Sequence, residues 1–254
     1  MTKNFKLSSD DIQPMVPDMG GALATDKITV DGNKVDYMVR QPTDREGDTG
    51  WIFYGGGETQ DYLDNPNNAA IYSVNTICNY DPDIIPFLTY PPGTEVERNA
   101  RGELKVTTKG VEKPSVVFMY PVDSGRVAIT KAWGFDVASR MLRRLDESSL
   151  VIWRPGFTIW LNAYSPNDPD VAGRVTAISD GVSRDAFDKQ QVSEGGLTKM
   201  KYSIVETTDD HAQASLNIFG FTSTDEIHMS VYYDTDEFKP DLDLLWRSLS
   251  INDV

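Results

Sequence analysis

Apolar positions in this chain alternate with polar ones over short stretches, and Gly, Pro, Asn and Asp separate the stretches. That period of two predicts strands with one buried face. Residues 1–26 are polar and broken by Pro14 and Pro17, so they read as a lead-in. Ile28-Thr29-Val30 and Val35-Asp36-Tyr37-Met38-Val39 flank Asp31-Gly32-Asn33, the pattern of a β-hairpin with a positive-φ turn. Trp51-Ile52-Phe53-Tyr54 predicts a short strand stopped by Gly55-Gly56-Gly57. Two helical pieces follow. One is Asn75–Tyr80. The other opens at Asp81 as N-cap with Pro82 in its first turn, and turns Ile84, Ile85, Phe87 and Leu88 inward. Strands are expected near 103–107, 115–119 and 126–130.

From Gly134 the spacing changes. Phe135, Ala138, Met141, Leu142 and Leu145 recur at helical intervals and predict a helix, with Arg140, Arg143 and Arg144 on its solvated side. Strands at 150–153 and 157–163 come next, then a helix over 180–190. An antiparallel meander follows at 198–206, 211–219 and 226–233, with its first turn at Thr207-Thr208-Asp209-Asp210. A last helix over 241–249 places Leu242, Leu245, Trp246 and Leu249 on one face. The fold class is α+β in two domains, an α+β domain at 27–130 and an antiparallel-sheet α/β sandwich at 134–254.

Charge narrows the range of partners. The chain has 24 Lys and Arg against 39 Asp and Glu, a net charge of −15. Residues 1–128 carry 12 basic and 19 acidic groups and the remainder 12 and 20, so neither half is a basic nucleic-acid module. Between Arg45 and Arg98 there is no Lys, Arg or His, while nine carboxylates fall in residues 46–97. A surface of one sign favours basic partners and repels nucleic acid and anionic membranes. A second such stretch, 202–238, holds eight carboxylates and no Lys or Arg. The single cysteine, Cys78, excludes an internal disulfide framework and a Cys-cluster zinc site. The N-terminus shows no apolar run of signal-peptide length, and no run approaches the roughly 20 residues of a membrane span. The expectation is a cytoplasmic protein without a membrane partner.

Catalytic and metal-binding patterns are sparse. His211 and His228 both fall in predicted strands and could pair across the meander with Asp209 or Glu226, but they lack compact ligand spacing. A polar strand face accounts for them better. Gly55-Gly56-Gly57 follows a strand, yet it lacks the Lys-Ser/Thr ending of a phosphate loop and is followed by Glu58. Asp61, Asp64, Asn65 and Asn67 do not follow an EF-hand register. A carboxylate pair for glycoside hydrolysis cannot be read from spacing alone. No enzyme, no cofactor and no metal are expected.

Residues 34–98 carry a set of specific motifs. They are Tyr37-Met38-Val39-Arg40, Asp48-Thr49-Gly50-Trp51, Gly57-Glu58 with Tyr62, and Asn75-Thr76-Ile77-Cys78-Asn79-Tyr80-Asp81-Pro82, followed by Gly93 and Glu97-Arg98. This segment resembles an immunity-protein domain family long known as a domain of unknown function. Thr49 stands where the family has Ser and Cys78 where it has Ala, and Gly56-Gly57 replaces part of an acidic loop. In element order the second half resembles the PsbP-like α/β sandwich, a likeness at fold level only.

The resemblance implies a protein that neutralises a toxin delivered between bacteria, including by type VI secretion, and implies no catalytic residues. An acidic surface then suits a cognate toxin with a basic cleft, such as a nuclease or another toxin acting in the cytoplasm. The expected toxin-binding residues are Glu58, Asp61, Tyr62, Asp64, Asn65, Asp81 and Asp83, with 58–64 exposed. Trp51, Tyr54, Tyr72 and Tyr80 are further aromatic anchor candidates, although Trp51 and Tyr80 also suit a core. The alternative function is small-molecule binding or scaffolding by the second domain.

Overall fold

The computed structural model describes residues 3–207 and 212–251. It is mostly β-sheet with few helices, and its contacts divide it after Pro121 into two units.

The first unit is built on a six-stranded sheet. Its strands are β1 (Gly21–Thr25), β2 (Tyr37–Arg40), β3 (Asp48–Tyr54), β4 (Ala69–Ser73), β5 (Glu95–Arg98) and β6 (Leu104–Val106), in the order β4-β1-β3-β2-β5-β6. The β1–β3 pair is parallel and the others antiparallel. Alternation sends Ala22, Ala24, Met38, Trp51, Phe53 and Val96 to one face, where each is buried. On that side they join a core with Ile28, Val74, Ile77, Cys78, Ile84, Ile85 and Leu88, from α1 (Asp26–Thr29), α3 (Val74–Tyr80) and the 3-10 helix Pro82–Phe87 with its C-cap Leu88. A further short helix, α2 (Gln60–Leu63), lies between β3 and β4 in the chain.

Two expectations for this unit need correction. The first arm of the predicted hairpin is helical. Gly32 N–H bonds back to Ile28 O at 3.1 Å and Asn33 N–H to Lys27 O at 2.9 Å, so Asp31-Gly32 closes α1. Gly32 holds φ +80°, the left-handed state that commonly ends a helix. The lead-in is also tied down. Gln13 N–H donates to Asn79 Oδ1, Met15 and Val16 N–H donate to Asn75 Oδ1, and β1 begins at Gly21 within the stretch read as irregular.

Strand β7 (Val116–Val122) runs across the division of the chain. The second unit adds β8 (Gly125–Ala128), β9 (Trp133–Val137), β10 (Met141–Asp146), β11 (Ser149–Arg154), β12 (Phe157–Tyr164), β13 (Phe187–Glu194), β14 (Leu197–Thr207), β15 (Ala212–Phe221), β16 (Glu226–Tyr233) and β17 (Ser250–Ile251). Its large antiparallel sheet contains the order β13-β14-β15-β16-β12-β11-β10, and β17-β9-β8 form a small one. Helix α5 (Lys239–Ser248) contributes Leu245 and Trp246 to a core with Trp133, Phe135, Ile152, Ile159 and Met229. Helix α4 (Val171–Gly181) packs Val175 against Met200, Phe219 and Phe221.

Strands β11, β12, β14 and β16 and helix α5 match their expected positions. The predicted helix from Gly134 does not form. Trp133, Phe135 and Val137 alternate and are all buried, so the apparent helical stripe combined two strands, β9 and β10. Arg144 therefore lies on a strand, stacked near Trp153 and Trp160 and paired with Asp146. The helix expected over 180–190 lies earlier, at α4, because Val171, Val175 and Ile178 supply its packed face. Its predicted range is instead mainly loop and the start of β13. Every residue of β13 is exposed, so no alternation marks it.

Candidate functional site

The family-like motifs can be followed atom by atom, and nearly all of them hold the first unit together. The Arg40 guanidinium donates to Thr49 O at 3.0 Å and Tyr90 O at 2.6 Å, and lies over the Trp51 ring. Trp51 Nε1 donates to Leu88 O at 3.1 Å from a side chain 1% exposed. Between them Gly50, at φ +73°, lies where an added Cβ would clash with Gln41 O. Thr49 Oγ1 donates to Gly21 O at 2.7 Å beside the register shift between β1 and β3. Asn75 and Asn79 hold the N-terminal segment, and Tyr80 OH accepts Leu7 N–H.

Asp81 and Asp83, expected to face the toxin, are both engaged by neighbouring residues, and Asp83 keeps about a third of its side chain exposed. Asp81 is 0% exposed. It accepts Asp83 N–H as an N-cap, Val35 N–H at 2.9 Å and Arg98 Nη2 at 2.5 Å. Burial pushes its carboxyl upward, against the pull of Val35 N–H and Arg98. Asp83 accepts from Lys34 at 2.8 Å, Tyr120 OH at 3.0 Å and Arg98 at 3.0 Å. Lys34 chiefly, with Tyr120 and Arg98, lowers its carboxyl to about 2. A buried carboxylate with its cations in place is a structural joint. Lys34 and Arg98 lie outside the cation-free window in sequence, so the charge pattern along the chain conceals this pairing.

The loop 58–65 is partly an anchor and partly free. Glu58 Oε1 accepts Gly55 N–H at 2.7 Å and Thr25 Oγ1 at 2.6 Å, so this carboxylate closes the glycine loop where a phosphate loop would hold its anion. Tyr62 is half-buried, with its OH on Asn68 O and Lys27 Nζ 5.6 Å from the ring centre. It is therefore a staple of the loop more than an exposed anchor. Asn65 caps a 3-10 turn through Asn67 N–H. Asp61 and Asp64 are exposed, although Asp64 accepts from Gln60. Tyr72 turns toward the core and meets Phe5 edge-on.

The other face of the six-stranded sheet was not anticipated. Register places Ile71, Leu23, Ile52 and Val39 side by side across β4, β1, β3 and β2, and Glu95 of β5 follows. Ile71 is 76% exposed and Leu23 38%. An open groove of about 630 Å³ runs over this row and is bounded by residues 41–48. Asp44, Glu46 and Asp48 line its rim with one cation, Arg45, and all four are exposed. The rim is anchored by Gly21 N–H on Gly47 O and Gly50 N–H on Asp48 Oδ1. Tyr37 and Tyr54 meet at a tilt in the neighbouring row, and burial followed by the charge of Glu95 raises the Tyr37 hydroxyl.

In the second unit His228 stacks on Phe219 at 4.2 Å and contacts Asn217 and Ser230. Burial lowers its pKa. Glu226 pairs with Arg174, while His211 and Asp209 lie outside the described residues. Among the described residues no group of three or more His, Cys, Asp or Glu is placed to hold a metal, and no helix is long and apolar enough to cross a membrane. An open cavity of about 530 Å³ contains the Asp188–Lys201 pair beside Phe187 and Leu216.

Residues 22–108 match the model of the immunity protein Imm33 domain. The immunity-domain resemblance thus holds for the first unit, and extends beyond 34–98 at both ends. No curated protein matches the chain. Among solved structures, a chain from Bacteroides thetaiotaomicron VPI-5482, determined at 1.50 Å, is similar at a TM-score of 0.41 and 10% identity. The likeness covers 52% of this chain and 50% of that one, so this chain spans about half its length.

Proposed function

We propose that this chain is an immunity protein that binds a cognate antibacterial toxin, of the kind delivered by type VI secretion, and blocks its active site or substrate path. The observation that carries the reading is the Imm33 domain at residues 22–108. The toxin class follows from charge. A net charge of −15 and the exposed carboxylates of the cation-free window, Glu46, Asp48, Asp61, Asp64, Glu95 and Glu97, suit a basic cleft, as in a nuclease acting in the cytoplasm. Asp61 and Asp64 remain exposed contributors to steering, which can raise association by about 10-fold or more at low salt. Glu58, Tyr62 and Asn65 hold the loop that presents them.

Co-expression with the product of the neighbouring gene tests this reading. The expected result is a stable complex that restores growth and silences nucleic-acid degradation in extracts. A purified chain that neither binds nor protects would remove the immunity reading, and protection against a toxin of another activity would remove only the nuclease. The alternative, small-molecule binding by the second unit, would rest on the cavity beside Lys201. That cavity is open and crossed by an ion pair, whereas ligand pockets are mostly apolar and enclosing.

A further inference from the structure

The outer face of the six-stranded sheet combines three features that point to one kind of occupant. The first is the apolar row of exposed Ile71 and Leu23 with half-buried Ile52, which lines a groove. The second is the acidic rim of Asp44, Glu46 and Asp48, offset only by Arg45. The third is β4 itself. It is an edge strand of five residues, Ala69-Ala70-Ile71-Tyr72-Ser73, with neither charge nor proline. Proteins commonly blunt such edges with Lys, Pro, bulges or shortness, because an edge presents a row of backbone donors and acceptors to any extended chain. The opposite edge, β6, is three residues long and carries Lys105. The edge at β4 is left open beside the most exposed large aliphatic side chain among the described residues of the unit, Ile71.

We infer that β4 and the adjoining groove dock an extended segment of the toxin, rich in Lys or Arg, that adds to the sheet edge and covers Ile71 and Leu23. Backbone pairing supplies affinity in strand addition, and the side chains beside it supply selectivity. Here the selectivity comes from one apolar contact on Ile71 and from basic groups facing Asp44, Glu46 and Asp48. A second copy of this chain fits poorly, since it would bring a like-charged rim and a net charge of −15 against its own kind. The inference rests on the immunity reading, and specifies where that reading acts.

The probe is the purified toxin domain that the wild-type chain neutralises. Ile71→Asp is the principal variant; the side chain is three-quarters exposed, so the fold tolerates the change. Val192→Asp on β13 makes the same kind of change at an exposed residue of another edge strand. I71D should weaken binding by about 30-fold or more, as loss of a central anchor does, while V192D stays within about 3-fold of wild type. Asp44→Lys with Glu46→Lys should slow association and flatten its salt dependence. Amide exchange at β4 should slow in the complex. I71D binding within about 3-fold of wild type, or β4 amides that exchange as fast in the complex as outside it, overturns the docking site while leaving immunity standing. A wild-type dimer that I71D dissociates overturns it in favour of self-association. Failure of the wild-type chain to bind or neutralise any toxin overturns both.

Discussion

The two faces of the six-stranded sheet use similar residue types for opposite purposes. On the inner face acidic groups are spent on the fold: Asp81 is sealed between Val35 N–H and Arg98, and Asp83 is shared among Lys34, Arg98 and Tyr120. On the outer side Asp44 and Glu46 stand in solvent above Ile71 and Leu23. The motifs that carry the family resemblance lie almost wholly with the inner set. These motifs fix the path of β2, β3 and the N-terminal segment. The outer row and its rim draw mainly on positions outside those motifs, Leu23, Ile52 and Ile71 with Asp44 and Glu46, joined by Val39 and Asp48 from within them.

The largest expected effect is on the inner side. Arg98→Met leaves the buried Asp81 carboxylate without its closest cation, and should cost about 3–5 kcal/mol in denaturant unfolding of the first unit. Adding Asp81→Asn removes the orphaned charge, so the double variant should recover part of the loss. If the double variant is as unstable as the sum of the two single ones, the joint is not a charge pair. Gly50→Ala comes next. It forces a positive φ on alanine and brings Cβ against Gln41 O, so a loss of about 1–3 kcal/mol or more is expected from a thermal melt. An unchanged melting temperature would separate the Asp-Thr-Gly-Trp motif from the architecture.

Acid should separate Asp83 from Asp81. The Asp83 carboxyl, at about 2, lies below its ordinary value, so the native state sheds this proton more readily than the unfolded chain. Its contribution is fully present above about pH 4 and is lost as pH falls toward 2. Asp81 works the other way. Its carboxyl is raised by burial, so its contribution favours the fold at low pH and declines as pH rises through the ordinary carboxylate value toward the raised one. In Asp83→Asn the loss of stability between about pH 4 and 2 should be shallower than in wild type. An identical slope would show that Asp83 is not the carboxylate lost in acid.

Much of the fold was legible where a single segment carries its own reason. Asp81-Pro82 announced a capped turn, residues 150–163 announced two strands, and Leu245 and Trp246 announced the closing helix. Legibility failed where a pattern needs a partner to be interpreted. Asp31-Gly32 ends a helix as well as it turns a hairpin. Strand β13 has no buried face, so it leaves no period of two. The candidate groove was hidden for the same reason, because Leu23, Val39, Ile52 and Ile71 are brought into one row only by the strand order. In one dimension Ile71 looks like any core isoleucine, and Asp81 and Asp83 look like any surface carboxylates. Burial exchanges these roles.

The smallest expected effect tests the outer face on the same scale. Ile71→Ala should change unfolding stability by no more than about 0.5 kcal/mol, because a side chain already in water gives up little on truncation. A core isoleucine of this sheet and its helices, such as Ile77 at 0% exposure, should instead lose about 2–5 kcal/mol when cut to alanine. Denaturant unfolding of the two variants checks the contrast directly. If I71A costs as much as I77A, Ile71 belongs to the packing of the unit and the outer row is a second core. If the cost is small, the exposed aliphatic surface at the edge of β4 is not needed to hold the chain together, as the proposed docking edge requires.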